Sequence, residues 1–313
     1  MVKTTKMRIN RALLLLMMVL LTGCIHQNTD SCSVEYLIHI KPEDNSGFSI
    51  ADAPDLTDGY LYILDQHGML VAKRYISKDA MVYQEPLLVE LCPNQHYEMV
   101  VWTATDIEKM TQISPVVPLH QNNIFFLKDK KGYNFITSSL YFGANKLLSQ
   151  AGKAKEYQAD VVIRRKLAAM HVSLIGVPTY HDAADYRVEV EGGLYGAFTF
   201  GGKISGASKR LNRYQSELVW AERSKLLAMP NALRVAPTSI DKPFIVSLFY
   251  QDKLIKKFTK DHIETPLAPQ AGERLNLLVD MTQNSGGIGD IDAHLQVVLR
   301  VSDWNKVELW EEW

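Results

Sequence analysis

Three cysteines are the residues of this chain best suited to covalent chemistry, and their surroundings divide them. Cys24 follows Leu21-Thr22-Gly23, small residues that lead straight into a thiol. Ahead of it lie a cationic stretch with Lys3, Lys6, Arg8 and Arg11 and the unbroken apolar run from Ala12 to Leu21. That three-part order is the pattern of an export signal, and the run is too short for an ordinary membrane span. The ending has the form of a bacterial lipobox, in which the cysteine thiol is acylated before cleavage just ahead of it. The expectation is a signal peptide over 1–23, a mature chain opening at Cys24, and an acyl anchor on that residue. A plain secretory signal with an incidental cysteine is the alternative.

Cys32 and Cys92 then remain as an even pair in an oxidising compartment, which favours a disulfide. The bridge would close a loop of about 60 residues, worth about 4 kcal/mol in the chain-entropy model. It would also tie the start of the mature chain, and hence the lipid, to the first domain. Zinc is the rival, but neither CxxC spacing nor a nearby histidine pair supports it.

The other chemistry-bearing residues form no recognisable catalytic set. The chain has no GxSxG elbow, HExxH or P-loop. Gly287-Ile288-Gly289 lacks the third glycine of a dinucleotide fingerprint. Asp290 and Asp292, with Asn284, carry calcium-type oxygens, but the EF-hand spacing fails and a solvated loop is the simpler reading. His181-Asp182 sits in a turn, and the loop around it offers one aromatic ring, Tyr180, so no aromatic platform is expected there. Arg164-Arg165-Lys166 reads as a solvated strand end, with a protease-sensitive site as the sharper alternative. No enzyme activity, cofactor or metal is implied. A formal net charge of −1 over 313 residues gives no drive toward nucleic acid.

The elements are mainly strands. Ser33 to Lys41 alternates apolar and polar residues. Tyr60–Leu64 and Met69–Ile76 flank Asp65-Gln66-His67-Gly68, where Gly68 suits a positive φ. Leu87–Leu91 and Tyr97–Trp102 flank Cys92-Pro93-Asn94. Ala144 to Gln158 favours helix or linker, and the domain boundary is expected there. A second strand set runs from Asp160 to Val301, with a hairpin about Gln251-Asp252 and one helix or crossing loop over Ser216 to Met229. The predicted fold is all-β: a tether over 24–32, an N-terminal sandwich over 33–150 and a C-terminal sandwich over 156–313.

These motifs, taken in order, carry a resemblance. Cys24-Ile-His-Gln-Asn-Thr-Asp-Ser-Cys32 opens the mature chain, followed by Tyr60-Leu-Tyr-Ile-Leu-Asp-Gln-His-Gly68-Met-Leu-Val71. Then come Val89-Glu-Leu-Cys-Pro-Asn-Gln-His-Tyr97-Glu-Met-Val-Val-Trp102, Leu140-Tyr-Phe-Gly143, Val161-Val-Ile-Arg164 and Ser302-Asp-Trp304. Together they resemble the FimB-like family of fimbrial anchor subunits of Bacteroidales over nearly the whole mature chain. Asn94 stands where many relatives have glycine, and asparagine tolerates the same left-handed backbone. The resemblance implies two transthyretin-like sandwiches, a lipid-anchored site at the outer membrane, and a place at the base of a fimbrium. It also implies stalk subunits as partners, joined by strand exchange at an open sheet edge.

The segment after Val301 carries Trp304, Val307, Leu309, Trp310 and Trp313, an apolar load among glutamates that suits a partner-binding strand. A final strand folded back on its own domain is the alternative. At the level of function, the second reading is a surface lipoprotein or fimbrial tip subunit that binds glycan or host protein.

Overall fold

The computed structural model describes residues 34–50, 54–111, 113, 117–134, 136, 138–149, 157–192, 197–205, 212–221, 225–282 and 296–303. These are mostly β, in several sheets. The first eight strands are β1 (Val34–Pro42), β2 (Gly59–Leu64), β3 (Leu70–Ile76), β4 (Leu87–Leu91), β5 (His96–Thr103), β6 (Asn123–Phe125), β7 (Tyr141–Leu148) and β8 (Tyr157–Arg165). All but β6 join one seven-stranded sheet in the order β3-β2-β5-β7-β8-β1-β4. Only two residue pairs, Tyr141↔Arg165 and Phe142↔Arg164, hold β7 to β8. The sheet folds at this thin seam, so its two limbs enclose a core of Tyr36, Ile38, Ile40, Leu61, Ile63, Met99, Val101, Val161 and Ile163. Gly143 makes the seam possible: a Cβ there would stand 2.1 Å from the Val162 carbonyl oxygen.

The β2–β5 limb is buried on both faces. Its other side sends Tyr62, Leu64, Val100 and Trp102 into a cluster with Ile107, Leu119, Ile124, Phe126, Phe198 and Phe200. Burial on two sides explains why Met99-Val100-Val101-Trp102 is continuously apolar instead of alternating. The Trp102 indole Nε1–H donates to the Phe200 carbonyl at 2.8 Å.

Phe200 belongs to the second half, whose strands are β9 (Ala168–Ile175), β10 (Tyr186–Gly192), β11 (Ala197–Thr199), β12 (Asn212–Glu217), β13 (Val219–Trp220), β14 (Leu227–Ala228), β15 (Leu233–Val235), β16 (Ile245–Tyr250), β17 (Lys253–Phe258), β18 (Glu273–Asp280) and β19 (Gln296–Asp303). The layer β12-β10-β16-β17 faces the layer β13-β14-β9-β18-β19, with β15 also on β9. Between them lie Met170, Val172, Leu174, Val188, Val190, Val246, Leu248, Leu275, Leu277 and Val279. The β6–β11 pair stitches one half to the other.

Four expectations need correcting. Tyr157–Arg165, assigned to the second sandwich, completes the first sheet: β8 runs parallel to β1 over seven pairs and turns Val161 and Ile163 into the first core. The change of layer falls at Lys166-Leu167, later than the expected boundary at 150–156. The helix-favouring Ala144–Gln158 gives strand over Tyr141–Leu148, because pairing with β5 overrides local propensity. Ser216–Met229 contains the end of β12 and two two-residue strands. Arg165 is no solvated strand end: it is 4% exposed and ion-paired with Asp55 at 2.7 Å.

Candidate functional site

The two ends of the chain carry the predicted anchoring and docking residues. Cys24 and Cys32 lie outside the described residues, but β1 fixes where their segment enters the fold. Val34 pairs with Leu91, and Leu91 immediately precedes Cys92, which is exposed and has no disulfide partner among the described residues. Cys32 is two residues before Val34, within about 7 Å of chain reach. The turn that presents Cys92 is tightly held. Ser149 Oγ donates to the Cys92 carbonyl at 2.7 Å, the Asn94 N–H donates to the Ser149 carbonyl at 2.9 Å, and the Ser149 N–H donates to the Gln95 carbonyl at 2.9 Å. Asn94 takes φ 59°, the left-handed conformation the turn requires.

Trp304, Val307, Leu309, Trp310 and Trp313 also lie outside the described residues. The strand that leads to them, β19, forms an edge of its sheet. The His262 N–H donates to the Val297 carbonyl at 2.9 Å, and Asn276 Nδ2 donates to Ser302 Oγ at 3.2 Å. The edges differ in how well they resist pairing with another chain. Strand β17 carries Lys253, Lys256 and Lys257 and meets a register shift at Leu248/Phe249. Strand β3 meets one at Ile63/Leu64 and carries Lys73 and Arg74. Charges and bulges of this kind discourage strand addition. Strands β4 and β19 pair with their neighbours without such shifts, and β4 exposes Leu88.

The remaining polar groups are structural in character. Asp55 accepts from Arg165 Nη2 at 2.7 Å and Nε at 3.1 Å, from Tyr141 Oη at 3.0 Å, and from Ser139 Oγ. Burial pushes its carboxyl up, but the Arg165 hydrogen bonds and charge, aided by Ser139 and Tyr141, outweigh this and hold it below 3.8. Burial lowers the Lys166 ammonium, which lies 5.5 Å and 5.6 Å from the Phe142 and Phe198 ring centroids. His181 is not a lone turn histidine. It stacks on Tyr250 at 5.1 Å and 25°, its Nδ1 is 2.7 Å from Tyr186 Oη, and its carbonyl accepts from Trp220 Nε1 at 3.4 Å. Tyr186 is five residues away, but Tyr250 and Trp220 come from distant strands that the sequence around His181 does not reveal. Among the described residues no group of three or more potential metal ligands occurs, and no helix is long and apolar enough to cross a membrane. Asn284, Gly287 to Gly289, Asp290 and Asp292 lie outside them.

The fold is similar to solved structures of fimbrial proteins. The fimbrial anchor protein Mfa2 from Porphyromonas gingivalis superimposes with TM-score 0.60 at 12% identity, covering 87% of this chain and 98% of that one. A candidate adhesin from Bacteroides ovatus gives 0.60 at 12% identity, covering 82% and 90%. The tip fimbrial protein Mfa3 from P. gingivalis, truncated at its C-terminus, gives 0.50 at 10% identity, covering 87% and 100%. No curated protein matches the chain in sequence. The family model of the Mfa2 fimbrillin-A associated anchor proteins matches residues 29–310, in keeping with the fimbrial anchor resemblance of the sequence motifs. The family is one of fimbrial anchor proteins, not enzymes. Matched from the edge of its expected tether almost to its last residue, the chain belongs to the family of fimbrillin-A associated anchor proteins Mfa1 and Mfa2.

Proposed function

We propose that this protein is an outer-membrane lipoprotein that holds a fimbrium to the cell. Acylated Cys24 is the lipid end, and several acyl chains on one residue bind far more firmly than a single myristoyl group. The tether 24–32 leads into two consecutive transthyretin-like sandwiches, the first closed by β8 and the second opened by β9. A Cys32–Cys92 bridge fastens the tether to the first of them. Stalk subunits join by strand exchange at a sheet edge, with Trp304, Val307, Leu309, Trp310 and Trp313 as the docking segment. The observation that carries this reading is the family match over 29–310. Fold likeness alone would not choose, because anchor and tip proteins share the architecture.

The test compares wild type with Cys24→Ala in the native host, by pull-down from detergent-solubilised outer membrane. A fimbrillin-like polymer should copurify with the wild type and shed into the medium in the variant. If no filament subunit copurifies and surface filaments are unchanged, the anchor reading fails. Glycan and host-protein capture then becomes the reading to pursue.

A further inference from the structure

The first half contains a cleft of about 550 Å³ that the anchor reading does not use. Its walls come from the start of β2, the end of β3 and the segment 104–109. Leu56, Ala104 and Ile107 give it an apolar lining. Two phenol rings face each other across the β2–β3 pair, Tyr60 and Tyr75, direct register partners with centroids 5.9 Å apart at 71°. Tyr75 is 57% exposed, yet its ring is held in place. Its hydroxyl donates to Asp58 Oδ2 at 2.6 Å, and the other oxygen of Asp58 accepts the Lys78 N–H at 2.8 Å. The rim alternates acceptors and donors: Glu108 with Lys73 at 2.6 Å and Asp106 with Lys109 at 2.7 Å. Thr57, which also lines the cleft, keeps a buried hydroxyl with no hydrogen-bond partner among the described residues.

We propose that this cleft is a carbohydrate-binding subsite for a neutral sugar unit of an oligosaccharide. Its size is that of a small-molecule site. Of the three lining carboxylates (Asp58, Asp106, Glu108), Glu108 is ion-paired with Lys73 from just outside the cleft, and the lining ammonium groups Lys78 and Lys109 offset the other two, so the cleft offers little to a strongly charged ligand. A sugar hydroxyl both donates and accepts, which uses carboxylate and ammonium alike. The apolar C–H face of a pyranose matches an exposed phenol ring of fixed orientation. Holding Tyr75 in place before binding removes part of the entropy that ordering it would cost. The inference is independent of the anchor function, since membrane attachment and stalk docking are assigned to the chain ends.

The test titrates the full mature chain calorimetrically with maltotetraose, mannotetraose and chitotetraose at millimolar concentrations. At least one should bind, and Tyr75→Ala should weaken it about tenfold through loss of the stacking face. Glu108→Gln, an exposed-rim change that leaves the core intact, should weaken the same sugar several-fold. Tyr180→Ala, in an exposed loop of the second half, should leave its affinity unchanged, and thermal melts verify the fold of each variant. The proposal is overturned if none of the three sugars binds, if affinity survives both cleft substitutions, or if Tyr180→Ala is the change that abolishes it.

Discussion

Replacing Cys92 by serine tests the expected bridge to Cys32 and, with it, the attachment of the lipid tether. The register gives the geometry: Val34 opposes Leu91, so the two cysteines lie one or two residues beyond a paired position. A loop of about 60 residues removes about 4 kcal/mol of unfolded-state entropy on closure. In a domain of this size, 4 kcal/mol moves a melting midpoint by roughly 8–16 °C. The assay is thermal unfolding of the exported protein with and without reductant, alongside iodoacetamide labelling in denaturant. Wild type should resist labelling until reduced and should lose that increment on reduction, whereas Cys92→Ser should melt at the reduced midpoint either way. Cys32→Ser should leave the exposed Cys92 thiol freely reactive. The reasoning is refuted if wild-type Cys92 labels fully without reductant. It is equally refuted if oxidised and reduced melts coincide.

Other substitutions probe the interior. Trp102→Phe removes the indole donor and leaves the Phe200 carbonyl unpaired, which should cost about 1–3 kcal/mol in urea unfolding; Trp102→Ala should cost about 3–5 kcal/mol. Asp55→Ala removes the carboxylate that pairs with the 4%-exposed Arg165 and should cost about 3–5 kcal/mol. Because the folded pKa of Asp55 lies below its unfolded value, near 3.9, its contribution is complete above that value and is lost as pH falls through the folded one. Melts from pH 6 to pH 2 should therefore show a steeper acid limb in wild type than in Asp55→Asn. His171 has its pKa lowered by burial, with the Met229 carbonyl opposing and Arg274 assisting. Stability should accordingly fall as pH drops below about 6.5, a slope that His171→Gln should remove.

Local chemistry was legible and long-range allegiance was not. The alternation of Tyr36, Ile38 and Ile40 marked β1, and all three are buried. Gly68 takes φ 77°, while Gln251 and Asp252 take 46° and 62° in the expected hairpin. Strand β8 was read as a strand but assigned to the wrong half. Its partner β1 is more than a hundred residues earlier and parallel, and no local turn announces such a pairing. Arg165 misled for the same reason, since nothing beside it in sequence reveals Asp55, 110 residues away. The cleft was not legible: Tyr60 meets Tyr75 only because the register shifts at Ile63/Leu64, which the turn residues do not announce. Asp106 and Glu108 join them only through the fold.

The parallel pairing of β1 and β8 bears on what an anchor must withstand. With the membrane end at Cys24, as proposed, tension enters at the N-terminal end of β1, and tension from the second half enters at the C-terminal end of β8, two residues before β9. In a parallel pair those ends are opposite, so the load runs along the strands and shears all seven residue pairs together. An antiparallel pair in the same position would be peeled one bond at a time. Single-molecule pulling between handles at residues 32 and 167 should therefore require several times the force needed between residues 32 and 156. In the second geometry both handles sit at one end of the ladder. Equal forces would show that the β1–β8 ladder does not bear the load, and the thin seam at Gly143 would then be the place to look for the weak point.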